Sequence, residues 1–126
     1  GDGVAGNPTF TLNNFTTGDL VLTSFSGANN QSAAANVTGL AFANGSIRAF
    51  NAVVSIFVDA TSDLFEIFNL SAIQRGADWI MSGSSEGDVS GIVFSITTAG
   101  QVQYQSLNYT GFSTLTMKFR AEVTTV

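Results

Sequence analysis

Glu86 and Asp88 stand close together in "SSEGDVSG" (84–91), in a chain of which only 10% is charged. Carboxylates at that spacing suit a cation loop, half of a catalytic acid pair, or a turn. A calcium loop of the EF-hand kind needs oxygen ligands at alternate positions over about twelve residues and a closing glutamate. Val89 follows Asp88, and that frame is missing. A glycosidase needs a second carboxylate, one of the two with a raised pKa. Glu66 in "LFEIF" is the candidate, because alternation groups it with Leu64, Phe68 and Leu70 on an apolar strand face. The same position suits a carboxylate paired with Arg48 or Arg75, or one facing a subunit junction. Glycine and serine flanks between apolar strands make 84–91 a hairpin connection. Asp59, Asp63, Asp78 and Asp88 all fall at strand ends, where acids are ordinary turn residues. No residue is assigned as catalytic, metal-ligating or cofactor-binding, and no cofactor is expected.

Composition narrows the chemistry further. The chain has no cysteine and no histidine, so disulfides, thiolate sites, the usual zinc ligands and imidazole acid–base systems are excluded. Net charge is −5, with Arg48, Arg75, Lys118 and Arg120 the only cations. Four cations against nine acids cannot form a sizeable nucleic-acid surface, nor attract an anionic membrane. No apolar run approaches the ~20 residues of a membrane helix. The opening "GDGVAGNP" lacks the basic start and apolar run of a signal peptide and reads as a processed product or a fragment.

The elements that position these residues read as strands. With 126 residues, 44% hydrophobic, 13 glycines and 11 phenylalanines, the chain suits one β-rich domain joined by tight turns. Candidate strands are "TFTLNNF", "LVLTSF", "NVTGLAF", "SIRAFNAVVSIFVDA", "LFEIFNLSAIQ", "DWIMS", "GIVFSIT", "QVQYQS" and "TLTMKFRAEV". Short strands at regular spacing predict a sandwich or barrel. In the last of them Leu115, Met117, Phe119, Ala121 and Val123 share one face, and Thr116, Lys118, Arg120 and Glu122 the other. "FNAVVSIFV" is apolar on both faces: Val53 and Phe57 on one, Phe50, Val54, Ile56 and Val58 on the other. A strand greasy on both sides needs a second cover. Phe50, Val54, Ile56 and Val58 are the candidate subunit interface.

Among the aromatics, Trp79 beside Ile80 reads as packed, and Tyr104 as core with Val102. Tyr109 and Phe112 in the turn-like "LNYTGFS" are the candidate surface contacts, since loop aromatics often meet partners. "GANNQSAAANVTG" reads as a mobile loop or an excursion from a strand edge. Asn-x-Ser/Thr triplets at Asn14, Asn30, Asn36, Asn44, Asn69 and Asn108 follow from composition.

Within residues 37–124 the order "QRGADW", "GDVSGIVFSI", "GQVQY" and "MKFRA" resembles C-terminal head domains of tailed-phage fibres and needle-type virion proteins. The resemblance implies an all-β fold, an antiparallel β-sandwich of jelly-roll form, related in shape to tumour-necrosis-factor-like and adenovirus-fibre knobs. It also implies a homotrimer on a virion appendage that meets a host-surface glycan or protein. Residues 1–36 lie outside the match and read as edge strands and a loop or as a lead-in from a fibre shaft, within a single domain of 1–126. In such domains the "GDVSG" pattern is a turn, with Asp88 bonding backbone N–H groups. A structural module without a receptor, and a carbohydrate-active enzyme fragment, are the other readings.

Overall fold

The structure is a computed structural model that describes residues 15–126. The candidate strand "TFTLNNF", apart from Phe15, lies outside the described residues. Eight strands follow: β1 (Leu20–Gly27), β2 (Ala35–Ala41), β3 (Ile47–Asp59), β4 (Leu64–Gln74), β5 (Trp79–Gly87), β6 (Val93–Ile96), β7 (Gln101–Gln105) and β8 (Thr114–Thr125). They form two antiparallel sheets, β1-β8-β3-β4-β5 and β2-β7-β6, packed as a sandwich. The nesting of a jelly-roll, first strand beside last and second beside seventh, is present in β1–β8 and β2–β7. β3, β4 and β5 instead run as a meander within one sheet. Residues 20–36 supply β1, the start of β2 and the loop between them, and among the described residues each of these strands lies at the edge of its sheet.

β3, 13 residues long, is the spine, bonded to β4 on one side and β8 on the other. Its alternate residues Phe50, Ala52, Val54, Ile56 and Val58 point between the sheets and are at most 1% exposed. Phe50, Val54, Ile56 and Val58 therefore cannot form a subunit interface: they are the sandwich's own core, covered by the three-stranded sheet. The face left outside carries Val53 and Phe57. β8 keeps the alternation read from its sequence, with Leu115, Met117, Phe119 and Ala121 buried and Lys118, Arg120 and Glu122 exposed.

At one end of the core Phe42 stacks on Phe50 with ring centroids 3.9 Å apart, and Trp79 leans on Phe50 at 5.6 Å. Trp79 Nε1–H donates to Asn44 Oδ1 at 2.8 Å, so its one polar atom is satisfied while the ring is buried. Towards the other end Tyr104 packs edge-on against Phe25 at 5.5 Å, and Phe68 against Phe94 at 5.0 Å. Gly100 ends the β6–β7 turn at φ 96°, pressed so closely on Phe42 O that only a residue without Cβ fits.

Candidate functional site

Antiparallel strands that cross between two sheets leave their connections at the ends of the sandwich. One end gathers four: β1–β2 (28–34), β3–β4 (60–63), β5–β6 (88–92) and β7–β8 (106–113). The described chain ends lie at the opposite end, where Thr16 N–H bonds Ala41 O and Val126 N–H bonds Ser46 O.

The β1–β2 segment, expected as mobile or as a strand-edge excursion, is strapped to the β7–β8 connection. Asn30, in the left-handed region at φ 55°, donates its N–H to Leu107 O at 2.8 Å. Asn29 accepts from Tyr109 N–H at 2.8 Å and donates through Nδ2 to Asn108 Oδ1 at 3.0 Å. Ser106 Oγ donates to Ala28 O and accepts from Gln31 N–H. The β3–β4 loop is tied to the same connection by Thr61 N–H to Thr110 O at 3.1 Å and by Ser113 N–H to Asp59 O at 2.7 Å.

Between the β3–β4 and β7–β8 connections lies an open depression of ≈ 330 Å³, floored by Leu64, Leu107 and Tyr109 and rimmed by Thr61, Ser62, Asn108 and Thr110. Asn108 Oδ1 is engaged by Asn29; among the described residues the hydroxyls of Thr61, Ser62 and Thr110 make no side-chain hydrogen bond. These are neutral donors and acceptors beside an apolar floor. The charge nearby is acidic: Asp59, Asp63, Glu66 and Asp88 lie at this end, with Glu86 close by. Arg48 and Arg75 sit at the opposite end, and Lys118 and Arg120 on the outer face of the five-stranded sheet. Such a site suits uncharged hydrogen-bonding groups and repels anions.

The aromatic contacts expected here are placed differently. Tyr109 is only 9% exposed and donates its hydroxyl to Ser90 O at 2.7 Å. Burial raises the Tyr109 pKa above its ordinary value. Phe112 is half-buried beside it, ring centroids 6.2 Å apart. Both are foundations of the loop end, because a ring between two sheets is worth more buried than exposed. Tyr109 lies in the floor of the depression, Phe112 does not line it, and small residues of "DATSD" and "NYTGFS" form its rim. Both stretches read as outward-facing loops, but no local signal shows that they meet.

Glu66 shares a face of β4 with Leu64, Phe68 and Leu70, as alternation groups them; that face is the inner one, and Glu66 is 8% exposed. It pairs with neither Arg48 nor Arg75. Its Oε1 accepts from Ser90 N–H at 3.1 Å and from Ser90 Oγ–H at 2.5 Å. Arg48 instead donates to Gln74 O at 2.9 Å, and Arg75 binds Asp78 through two hydrogen bonds of 3.0 Å. The segment 84–91 is not a hairpin, because β5 runs on to Gly87 and the chain then crosses to β6 in the other sheet. Asp88 does cap this turn: its Oδ2 accepts Phe65 N–H at 2.9 Å, and its own N–H bonds Phe65 O at 2.8 Å. Among the described residues no three acidic side chains converge to hold a metal ion.

No protein-family model and no curated protein sequence matches the chain. Among solved structures it is similar to the tailspike protein of Acinetobacter phage vB_ApiP_P1, with 17% identity and a TM-score of 0.47. That likeness covers 94% of this chain and 24% of the tailspike chain, so the present chain spans about a quarter of that protein's length.

Proposed function

We propose that the chain is the non-enzymatic head domain of a virion appendage, that it assembles as a homotrimer, and that its four-loop end meets the host surface. The observation that carries this reading is the loop end itself. Three connections distant in sequence are strapped together there, and two of them border a depression with unspent hydroxyl groups, facing away from both described chain ends. A domain carried through either of those ends presents this surface outward. The sequence resemblance to phage-fibre heads supports the virion setting, and three-fold repetition would raise weak contacts to useful avidity. The neutral rim favours an uncharged host glycan over an anionic one.

Labelled domain is expected to bind susceptible bacterial cells. Thr61→Arg and Thr110→Arg should abolish binding with the far-ultraviolet circular dichroism unchanged, while Thr98→Arg at the opposite end leaves it intact. An assembled domain that binds neither cells nor a glycan array would overturn receptor recognition. The apolar outer face of the five-stranded sheet would then favour the second reading, a structural virion module whose task is assembly alone. Turnover of a polysaccharide that is lost on Glu66→Gln would instead revive the enzyme reading, which the seating of Glu66 under Ser90 does not favour.

A further inference from the structure

The chain holds one Asn-Gly pair, Asn44–Gly45, in the turn that joins β2 to β3. That dipeptide carries its own chemistry. The backbone nitrogen that follows an asparagine can attack the side-chain carboxamide, and glycine, without a side chain, hinders the attack least. The fold treats the two reacting groups differently. Gly45 is exposed, a Cβ at this position would meet nothing within 4 Å, and among the described residues its N–H donates no hydrogen bond. The Asn44 carboxamide is instead held at both of its ends. Its Oδ1 accepts from Trp79 Nε1–H at 2.8 Å, and its Nδ2 donates to Thr98 O at 3.0 Å. The Trp79 ring is 7% exposed and leans on Phe42 and Phe50, which fixes the direction of its N–H.

We infer that Asn44 is a latent deamidation site, guarded by its bonds to Trp79 and Thr98. In the reaction the Gly45 nitrogen gives its proton to hydroxide or another solvent base and bonds to Asn44 Cγ, and the carboxamide nitrogen departs as ammonia. Water then opens the cyclic imide at either carbonyl and leaves aspartate or isoaspartate. The ring closes only when the carboxamide plane turns to face Gly45, and that turn breaks both bonds. A reactive pair thus stays unreactive until this end of the sandwich opens locally. Aspartate would keep an oxygen for Trp79 but set the other against Thr98 O, two acceptors with no hydrogen to share. Isoaspartate would lengthen the backbone inside the turn that Ser46 N–H and Ile47 N–H close on Ala43 O. Val126 N–H bonds Ser46 O, and Thr16 bonds Ala41 O and Ala43 N–H, so the change loosens the end where both described chain ends lie. The loop end is remote from it, and this inference stands apart from the proposed host contact.

The test incubates the full chain in mildly alkaline buffer, folded and in concentrated urea, and follows its asparagines by peptide mapping with isoaspartate detection. In urea Asn44 should convert before any other asparagine. In the folded chain it should convert slower by about tenfold or more, because two hydrogen bonds are added to the barrier. Trp79→Phe keeps a ring and drops the donor, and should speed the folded reaction by roughly two- to tenfold. Gly45→Ala, with open space for its methyl group, should suppress conversion in both states. Asn44→Asp, a copy of one product, should melt lower than the unsubstituted chain. If Trp79→Phe does not fold, the folded-to-unfolded rate ratio at Asn44 in the unsubstituted chain decides alone. Equal rates in the two states, another asparagine converting first in urea, or a folded Trp79→Phe chain that reacts no faster overturns the guarded site. An Asn44→Asp chain that melts no lower overturns its consequence for the fold.

Discussion

Among the described residues, Glu66 is a buried carboxylate neutralised by no cation and held by Ser90. Ser90→Ala deletes the hydroxyl donor and is expected to lower unfolding free energy by about 1–3 kcal/mol, the range for stranding a buried polar group. Glu66→Gln keeps an oxygen that both Ser90 bonds can reach, so it should lose less; urea denaturation of the two variants checks the order. Tyr109 closes the same network through its bond to Ser90 O. Its pKa is raised by burial, so the folded chain holds the proton more tightly than the unfolded chain does. Its contribution is therefore complete below about pH 10 and is lost as pH climbs through the folded value. Tyr109→Phe should cost about 0.5–1.5 kcal/mol at neutral pH. The same variant should show a shallower fall in melting temperature as pH rises above about 10 than the unsubstituted chain.

β3 shows how far one strand can be read without its neighbours. Its length and period were legible, because alternation is a property of adjacent residues. Which face pointed inward was not, since both faces are apolar and only the position of β2-β7-β6 decides. Two adjacent substitutions expose the difference. Ile56→Ala, inside the core at 1% exposure, is expected to cost about 2–5 kcal/mol by denaturation. Phe57→Ser, one residue on and on the outer face, should leave monomer stability much less changed and weaken assembly instead. At the β6–β7 turn, Gly100→Ala combines a positive φ with a collision against Phe42 O. It should cost more than about 1–3 kcal/mol, since the neighbour is backbone and cannot swing away.

At the scale of the whole molecule, the sandwich separates two surfaces. One is a loop end of neutral hydroxyls, and the other is a sheet face of aromatic and aliphatic side chains, with Lys118, Arg120 and Glu122 towards one flank and Glu86 on the other. If the second surface joins copies, stability is tied to concentration. The melting temperature is then expected to rise as protein concentration is raised, and Phe65→Ser should remove that dependence. Differential scanning calorimetry over a wide concentration range makes the measurement.

From the residue order alone came the all-β class, the strand periods of β3, β4 and β8, the burial of Trp79 and Tyr104, and the grouping of Glu66 with Leu64, Phe68 and Leu70. All of these follow from local alternation and from the low solubility of aromatic side chains. Tertiary structure decided the rest. It buried Phe50, Val54, Ile56 and Val58 under the second sheet and drew Tyr109 and Phe112 into the base of the loop end. It also brought Asn29 to Asn108, 79 residues apart. Two sheets packed face to face give each strand an inside, and which residues meet across them depends on chain reversals that no short stretch encodes.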